Sequence, residues 1–312
     1  MLRNLLSEDE FLQIALKVPL QTIEWQLAAN KGVEVMVRRD DVVDADLSGN
    51  KFYKLFYNLL AAKEQGHTQI LSFGGAYSNH IYALAAAGHR FGIKTVGVIR
   101  GERAKILSPC LQDAEAWGMR LHFINRSAYS AGLTAELEGE LHRLYGDFYS
   151  IPEGGANLLG VKGTQKLGWA LSQQISSGYT HVCVACGTGN TLAGIAAGLA
   201  SNDNCAAIGF SVLKGAGDLG ESIKNQQKTI QNVESNWRLI SGFHGGGYAK
   251  KLPSSLKQFY ACFEAETKLM LDPVYTLKMC WGVAQLIEQH YWPRGSRLVL
   301  VHTGGLQGRR GF

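Results

Sequence analysis

Five short stretches carry groups able to bind or react, at the turns where a fold would present them. Lys51 follows Leu47-Ser48-Gly49-Asn50 on the first turn of an expected helix. There its amine could hold a phosphate or form a Schiff base; read alone, it is an exposed helical lysine. Ser72-Phe73-Gly74-Gly75-Ala76-Tyr77-Ser78-Asn79-His80 ends an apolar run with two glycines and opens an Ala-rich segment. Ser78 and Asn79 are favoured helix caps, and a helix start offers its N–H groups to a carboxylate. His80 would be a third polar group there, although a helix-end histidine is more often structural. Cys186-Gly187-Thr188-Gly189-Asn190-Thr191 lies between an apolar strand and a helix, the pattern of a phosphate cradle built from backbone N–H groups and hydroxyls. It has neither the Lys-Ser/Thr ending of a triphosphate loop nor G-x-G-x-x-G spacing, and without a ligand it is a tight strand-to-helix turn. Gly245-Gly246-Gly247-Tyr248 and Leu271-Asp272-Pro273-Val274-Tyr275-Thr276 set two tyrosines beside tight turns. Asp272 and Pro273 read as an N-cap and first helical residue. His302-Thr303-Gly304-Gly305 closes the last expected strand.

Alternating strands and helices must position these groups. Apolar runs at 69–73, 95–99, 120–123, 148–151, 181–185, 206–212 and 297–302 read as strands. Segments 80–91, 109–117, 133–145, 162–175, 191–200, 254–266 and 274–289 read as helices. That alternation predicts an α/β chain with parallel sheets, in two series before and after about residue 155. Ligands of such sheets sit at the carboxyl ends of strands, where the glycine turns fall.

Composition excludes several classes. The chain has 312 residues, a length that suggests about two domains. Hydrophobic residues make up 46%, enough for a sizeable core. Lys+Arg 31 against Asp+Glu 26 leaves +5, with no basic cluster; this is weak evidence for nucleic acid and fits a small anion at least as well. No apolar stretch approaches the ~18 residues of a membrane span. Residues 1–13 lack the apolar run of a secretory signal, so a cytoplasmic protein is expected. The 6 cysteines are scattered as in a reduced protein. Cys183 and Cys186 lack a second ligand pair, so no metal site is expected. Glycine is the outlier: 37 of the 312 residues, about 12% against a usual ~7%.

Gly49-Asn50-Lys51, Ser78-Asn79-His80, Gly187-Thr188-Gly189-Asn190-Thr191, Asp272-Pro273-Val274-Tyr275-Thr276 and His302-Thr303-Gly304-Gly305 follow one another across residues 19–308. In this order and spacing they resemble the pyridoxal-phosphate enzymes that include 1-aminocyclopropane-1-carboxylate deaminase and D-cysteine desulfhydrase, of the tryptophan-synthase-β-like fold type II. The resemblance implies two parallel-sheet α/β domains with pyridoxal 5′-phosphate in the cleft between them. The larger would comprise residues 1–47 with 155–312, the smaller residues 48–154. It further implies a homodimer acting on a small amino acid.

Carried over residue by residue, Lys51 matches the lysine that forms a Schiff base with the cofactor. Asn79 matches the group bonded to the cofactor's ring hydroxyl. Gly187, Thr188, Gly189, Asn190 and Thr191 match the phosphate loop, and Thr276 the position facing the pyridine nitrogen. Ser78 matches a nucleophile or proton shuttle; Tyr248 and Tyr275 match two active-site tyrosines. Ser78, Asn79, His80 and Thr303 fall on the substrate side. The deaminase pattern has glutamate at the position of Thr276 and leucine at that of Thr303, whereas the desulfhydrase pattern has small hydroxyl residues at both. A hydroxyl leaves the ring nearer neutral, which suffices for β-elimination of thiolate; cyclopropane opening calls for a carboxylate. The expectation is a D-cysteine desulfhydrase-like lyase releasing pyruvate, sulfide and ammonia. The alternatives are deamination of 1-aminocyclopropane-1-carboxylate to 2-oxobutanoate, and a non-catalytic cofactor- or anion-binding protein. Tyr53 and Tyr77, where the family often has arginine and glutamine, are expected beside the reacting groups. Gly49, Gly74, Gly75, Gly154, Gly155, Gly187, Gly189, Gly194, Gly198, Gly245, Gly246, Gly247, Gly304, Gly305 and Gly308 are expected to surround the one site.

Overall fold

A computed structural model describes residues 5–175, 178–199, 205–215, 217–230, 235–247 and 252–311. The order begins with α1 (Glu8–Lys17), β1 (Leu20–Thr22), α2 (Gln26–Lys31), β2 (Glu34–Arg38) and α3 (Asn50–Glu64). It continues with β3 (Gln69–Gly74), α4 (Asn79–Phe91), β4 (Lys94–Arg100), α5 (Pro109–Ala116) and β5 (Arg120–Ile124). Helices α6 (Arg126–Ala131) and α7 (Ala135–Tyr145) precede β6 (Tyr149–Ile151). Then come α8 (Leu158–Gln174), β7 (His181–Cys186), α9 (Asn190–Leu199), β8 (Ala206–Ser211), α10 (Leu219–Ile230) and β9 (Trp237–Ile240). Helices α11 (Ser254–Thr267) and α12 (Thr276–Glu288), strand β10 (Arg297–Val301) and a 3₁₀ turn (Leu306–Gly311) follow.

The strands form two sheets, ordered β1-β2-β10-β7-β8-β9 and β5-β4-β3-β6. All pairings are parallel except β1 with β2. Parallel strands are buried on both faces and read as continuous apolar runs. This is why β3, β7 and β8 stood out in the sequence, whereas β1, β2 and β9 did not. The half-exposed pattern of β2 ends in Arg38, which is 0% exposed beside Asp40, also 0%. Arg38 Nε donates to Asp40 Oδ2 at 3.1 Å, and its other nitrogens reach Gln174, the Ala15 carbonyl (2.7 Å) and the Tyr53 hydroxyl (3.1 Å). The buried pair thus ties β2 to α1, α3 and α8. Tyr53 donates to Asp40 Oδ1 at 2.6 Å. This tyrosine points into the core, contrary to its expected place among the reacting groups.

Helices α3, α8 and α9 touch backbone to backbone. A Cβ on Gly163 of α8 would collide with the Tyr53 carbonyl of α3; on Gly194 of α9, with Thr164; on Gly198, with the Gln165 carbonyl; on Gly168, with the Ile195 carbonyl. Gly194 and Gly198 therefore serve helix contact, and do not line a loop as expected. Helix α9, built of small and apolar residues, is buried along nearly its whole length, as a helix apolar on all sides must be.

Gly198→Ala should lower the unfolding free energy by about 1–3 kcal/mol through overpacking. Gly139 in α7 has open space at its Cβ, so Gly139→Ala should raise it by about 0.4–1 kcal/mol. Denaturant unfolding of both variants checks the pair.

Candidate active site

Helix α3 starts hard against the segment that follows β10. Gly49 has φ +68°, and a Cβ there would strike the Thr303 carbonyl. Its N–H donates to the Asp40 carbonyl at 2.8 Å, and the Asn50 N–H to Thr303 O at 3.4 Å. Lys51 is thereby placed on the first turn. Its Nζ donates to Asn50 Oδ1 at 2.9 Å, while Asn50 Nδ2 donates to Thr191 Oγ1 at 2.8 Å. Burial pulls the Lys51 amine down from 10.5 to about 8, with Asp272 pulling the other way.

One turn on, Lys54 is 3% exposed. Its Nζ donates to the Gly154 carbonyl at 3.1 Å and lies 3.5 Å from Thr188 Oγ1. Burial, then the neighbouring Lys51, push this amine well below its ordinary value, with Cys186 opposing. Among the described residues neither lysine forms an ion pair. The sequence reading passed over Lys54; its i, i+3 spacing from Lys51, which puts both on one helix face, was the available signal.

The β7–α9 turn meets these amines. Gly189 has φ +82°, and a Cβ there would lie 2.6 Å from Ile223. Among the described residues the N–H groups of Thr188 and Gly189 meet no acceptor, and the first turn of α9 leaves further N–H groups without helical partners. Asn190 is 0% exposed. Its amide is spent on the Asn157 carbonyl (3.2 Å) and Gln226 (3.3 Å), so the backbone is what it offers a ligand. The Tyr275 ring lies 3.2 Å from where a Gly187 Cβ would stand.

Across the cleft, Ser78 caps α4 and its Oγ accepts from the Ile81 N–H at 3.2 Å. Asn79 Oδ1 accepts from Gln307 Nε2 at 2.8 Å. His80, 1% exposed, lies 2.9 Å from Ser72 Oγ, whose proton goes to the Ile151 carbonyl at 2.7 Å. The ring therefore donates from Nε2, and Nδ1 is a buried acceptor without a partner among the described residues. Burial, Lys51 and Lys54 keep His80 neutral, well below the ordinary imidazole value. Tyr77 stands at the rim, 40% exposed, with its ring against Gly311.

The Asp272 carboxylate accepts from the N–H groups of Val274, Tyr275 and Thr276 at 2.8–2.9 Å. Helix α12 begins at Thr276, two residues later than expected, because these three N–H groups turn onto the carboxylate. Thr276, 0% exposed, accepts from the Asp272 N–H at 2.8 Å and lies 3.0 Å from Asp272 Oδ2. Thr303 is 8% exposed and packs on Gly49. Lys278, also buried, donates to the carbonyls of Val212 (3.1 Å) and Gly247 (2.6 Å) and so anchors the glycine turn. Tyr248 lies outside the described residues.

A half-buried amine at Lys51, a buried one at Lys54 and a turn whose N–H groups meet no acceptor among the described residues form a donor set suited to an anion. An amine lowered to about 8 is in part the free base at neutral pH and competent toward an aldehyde. A phosphorylated aldehyde cofactor fits both properties.

The comparisons agree with this chemistry. A family model described as pyridoxal-phosphate dependent enzyme matches residues 17–304. A putative 1-aminocyclopropane-1-carboxylate deaminase of Pyrococcus horikoshii is 26% identical, over 94% of this chain and 90% of its own. A mitochondrial bifunctional D-cysteine desulfhydrase/1-aminocyclopropane-1-carboxylate deaminase of Arabidopsis thaliana is 28% identical, over 93% and 77%. The crystal structure of an ACC deaminase homologue superposes with TM-score 0.82 at 25% identity, covering 97% of this chain and 96% of that one. Among the described residues no helix is long and apolar enough to cross a membrane.

Reductive methylation of the cofactor-free chain, followed by peptide mass spectrometry, should modify Lys51 with a half-maximal rate near pH 8. Because Asp272 supports the charged form of Lys51, Asp272→Asn should move the Lys51 midpoint lower.

Proposed function

The chain belongs to the pyridoxal-phosphate-dependent enzymes, and on that premise we propose that it is a lyase eliminating thiolate from D-cysteine, with pyruvate, sulfide and ammonia as products. The observation that carries the reaction type is Thr276, a hydroxyl already bonded to Asp272. No free carboxylate stands at that position to drive the ring nitrogen toward full protonation. The names of the relatives support a small amino acid as substrate.

When bound, pyridoxal phosphate supplies the electron sink for charge at the substrate's α-carbon. The chain's residues do the rest. Lys51 offers the amine that attaches the cofactor, held toward it by Asn50. Lys54 and the N–H groups of Gly187, Thr188, Gly189, Asn190 and Thr191 would hold the phosphate, whose negative charge would favour the protonated form of the Lys54 amine. Asn79 would bond the ring hydroxyl and Thr276 would face the ring nitrogen. Among the described residues the Ser78 hydroxyl accepts from Ile81 and donates to no partner, which leaves its proton for the substrate carboxylate or for transfer. The start of α4 adds N–H groups for the same carboxylate. Lys51 takes the α-proton, and Tyr275 and Tyr248 assist proton movement at the departing sulfur. Thr303 borders the substrate. His80, locked on Ser72, supports the α4 start from behind.

The same reading assigns residues 48–154 to the smaller domain and residues 1–47 with 155–312 to the larger, a division that the two separate sheets support. It also takes the enzyme to be a cytoplasmic homodimer.

Purified protein supplied with pyridoxal phosphate should be yellow and should release sulfide and pyruvate from D-cysteine faster than from L-cysteine. Lys51→Ala should lose the colour and about 10²–10⁴-fold in rate. Formation of 2-oxobutanoate from 1-aminocyclopropane-1-carboxylate, with no turnover of D-cysteine, would replace this reading by the deaminase one. Colour without turnover of either compound would point to a binding protein.

A further inference from the structure

The 3₁₀ turn at Leu306–Gly311 is a strap fixed on both sides of the cleft. On one side Arg309 pairs with Glu264 of α11 and donates to the Leu271 carbonyl at 2.8 Å. On the other, Arg310 pairs with Asp113 of α5, and Gly311 lies against the Tyr77 ring. The Gln307 carbonyl accepts from Arg310 Nε at 3.2 Å. Between these anchors the Gln307 side chain reaches the start of α4, where Nε2 donates to Asn79 Oδ1 at 2.8 Å.

A carboxamide has one acceptor end and one donor end. With Oδ1 committed to Gln307, Asn79 presents its N–H pair elsewhere. The backbone makes room for that orientation. Asn79 Nδ2 occupies the space that a Cβ on Gly305 would claim, and Gly305, at φ +90°, has none. An oxygen facing Asn79 from the cleft therefore meets a donor and not a second acceptor.

We propose that Gln307 is a positioning residue that fixes the Asn79 amide with its N–H end toward the cofactor's ring oxygen. This rests on the reading of Asn79 given above. Two features separate orientation from simple tethering. Glutamate at 307 can still be bonded by Asn79, but only by accepting, which turns Oδ1 toward the ring oxygen. Methionine at 307 leaves the amide free.

The full-length chain is titrated with pyridoxal 5′-phosphate, reading the dissociation constant and the absorption maximum. The wild type is compared with Gln307→Glu, Gln307→Met, Asn79→Ala and the double variant Asn79→Ala/Gln307→Glu. Gln307→Glu should weaken binding by about tenfold or more and shift the absorption maximum; Gln307→Met should weaken it a few-fold. In the Asn79→Ala background, Gln307→Glu should retain only the smaller effect of an added charge, so the cycle isolates the coupling. Equal effects of Gln307→Glu in both backgrounds overturn the proposal. So does a Gln307→Met protein with the wild-type constant and spectrum, a comparison that stands even if Gln307→Glu does not fold. A wild-type chain that binds no pyridoxal phosphate overturns the underlying reading as well, and is recognised by the missing colour before any variant is examined.

Discussion

Helix contact without side chains is the constraint on which the site depends. Where α3, α8 and α9 cross, glycine on one helix meets a carbonyl or main-chain atom of the next. Side chains ordinarily keep helix axes about 8–10 Å apart, and removing them lets the backbones touch. That closeness sets the starts of α3 and α9 side by side. Asn50 can then reach Thr191 at 2.8 Å, and Lys54 can approach Thr188. A methyl group at Gly163 or Gly194 would push apart the two helix ends that share the site.

The same closeness creates an electrostatic tension. Lys51 and Lys54 share a helix face in a buried space without a carboxylate partner among the described residues, and both amines are depressed. A lysine whose folded value lies below its unfolded one destabilises the fold at pH values under both, and this penalty fades as pH rises from the folded value toward the unfolded one. For Lys51 that window runs from about 8 to 10.5. A bound dianion would relieve it at neutral pH. Functional sites often carry such destabilising groups, which the remaining structure must offset. Here the support comes from ion pairs and packing outside the cleft. The buried Arg38–Asp40–Tyr53 set is the clearest case: it locks the approach to α3 from four elements and reaches no ligand.

Segments distant in sequence complete the cleft. Gly49 needs Thr303, Gly187 lies under Tyr275, and Asn79 fits against Gly305. Each contact joins residues far apart in the chain, and each relies on a missing side chain at one partner. The glycine excess therefore has two uses: turns that bare their N–H groups, and surfaces where backbone meets backbone.

The parallel α/β class and the glycine turns at strand ends were legible in the residue order alone. Buried parallel strands are locally apolar, and tight turns need glycine, so both signals lie within a few neighbouring residues. Motif order also pointed to Lys51, Ser78, Asn79, the 187–191 turn and Thr276. Which of these groups keep free valences emerged from the packed fold. It showed that the Asn190 amide and the Thr276 hydroxyl are already bonded within the protein. His80 serves Ser72, and Tyr53 belongs to the core. It added Lys54 and Gln307, whose roles come from partners 134 and 228 positions away. Residue type fixes what a side chain can donate or accept; which partner takes that capacity depends on distances that exist only after the helices have packed.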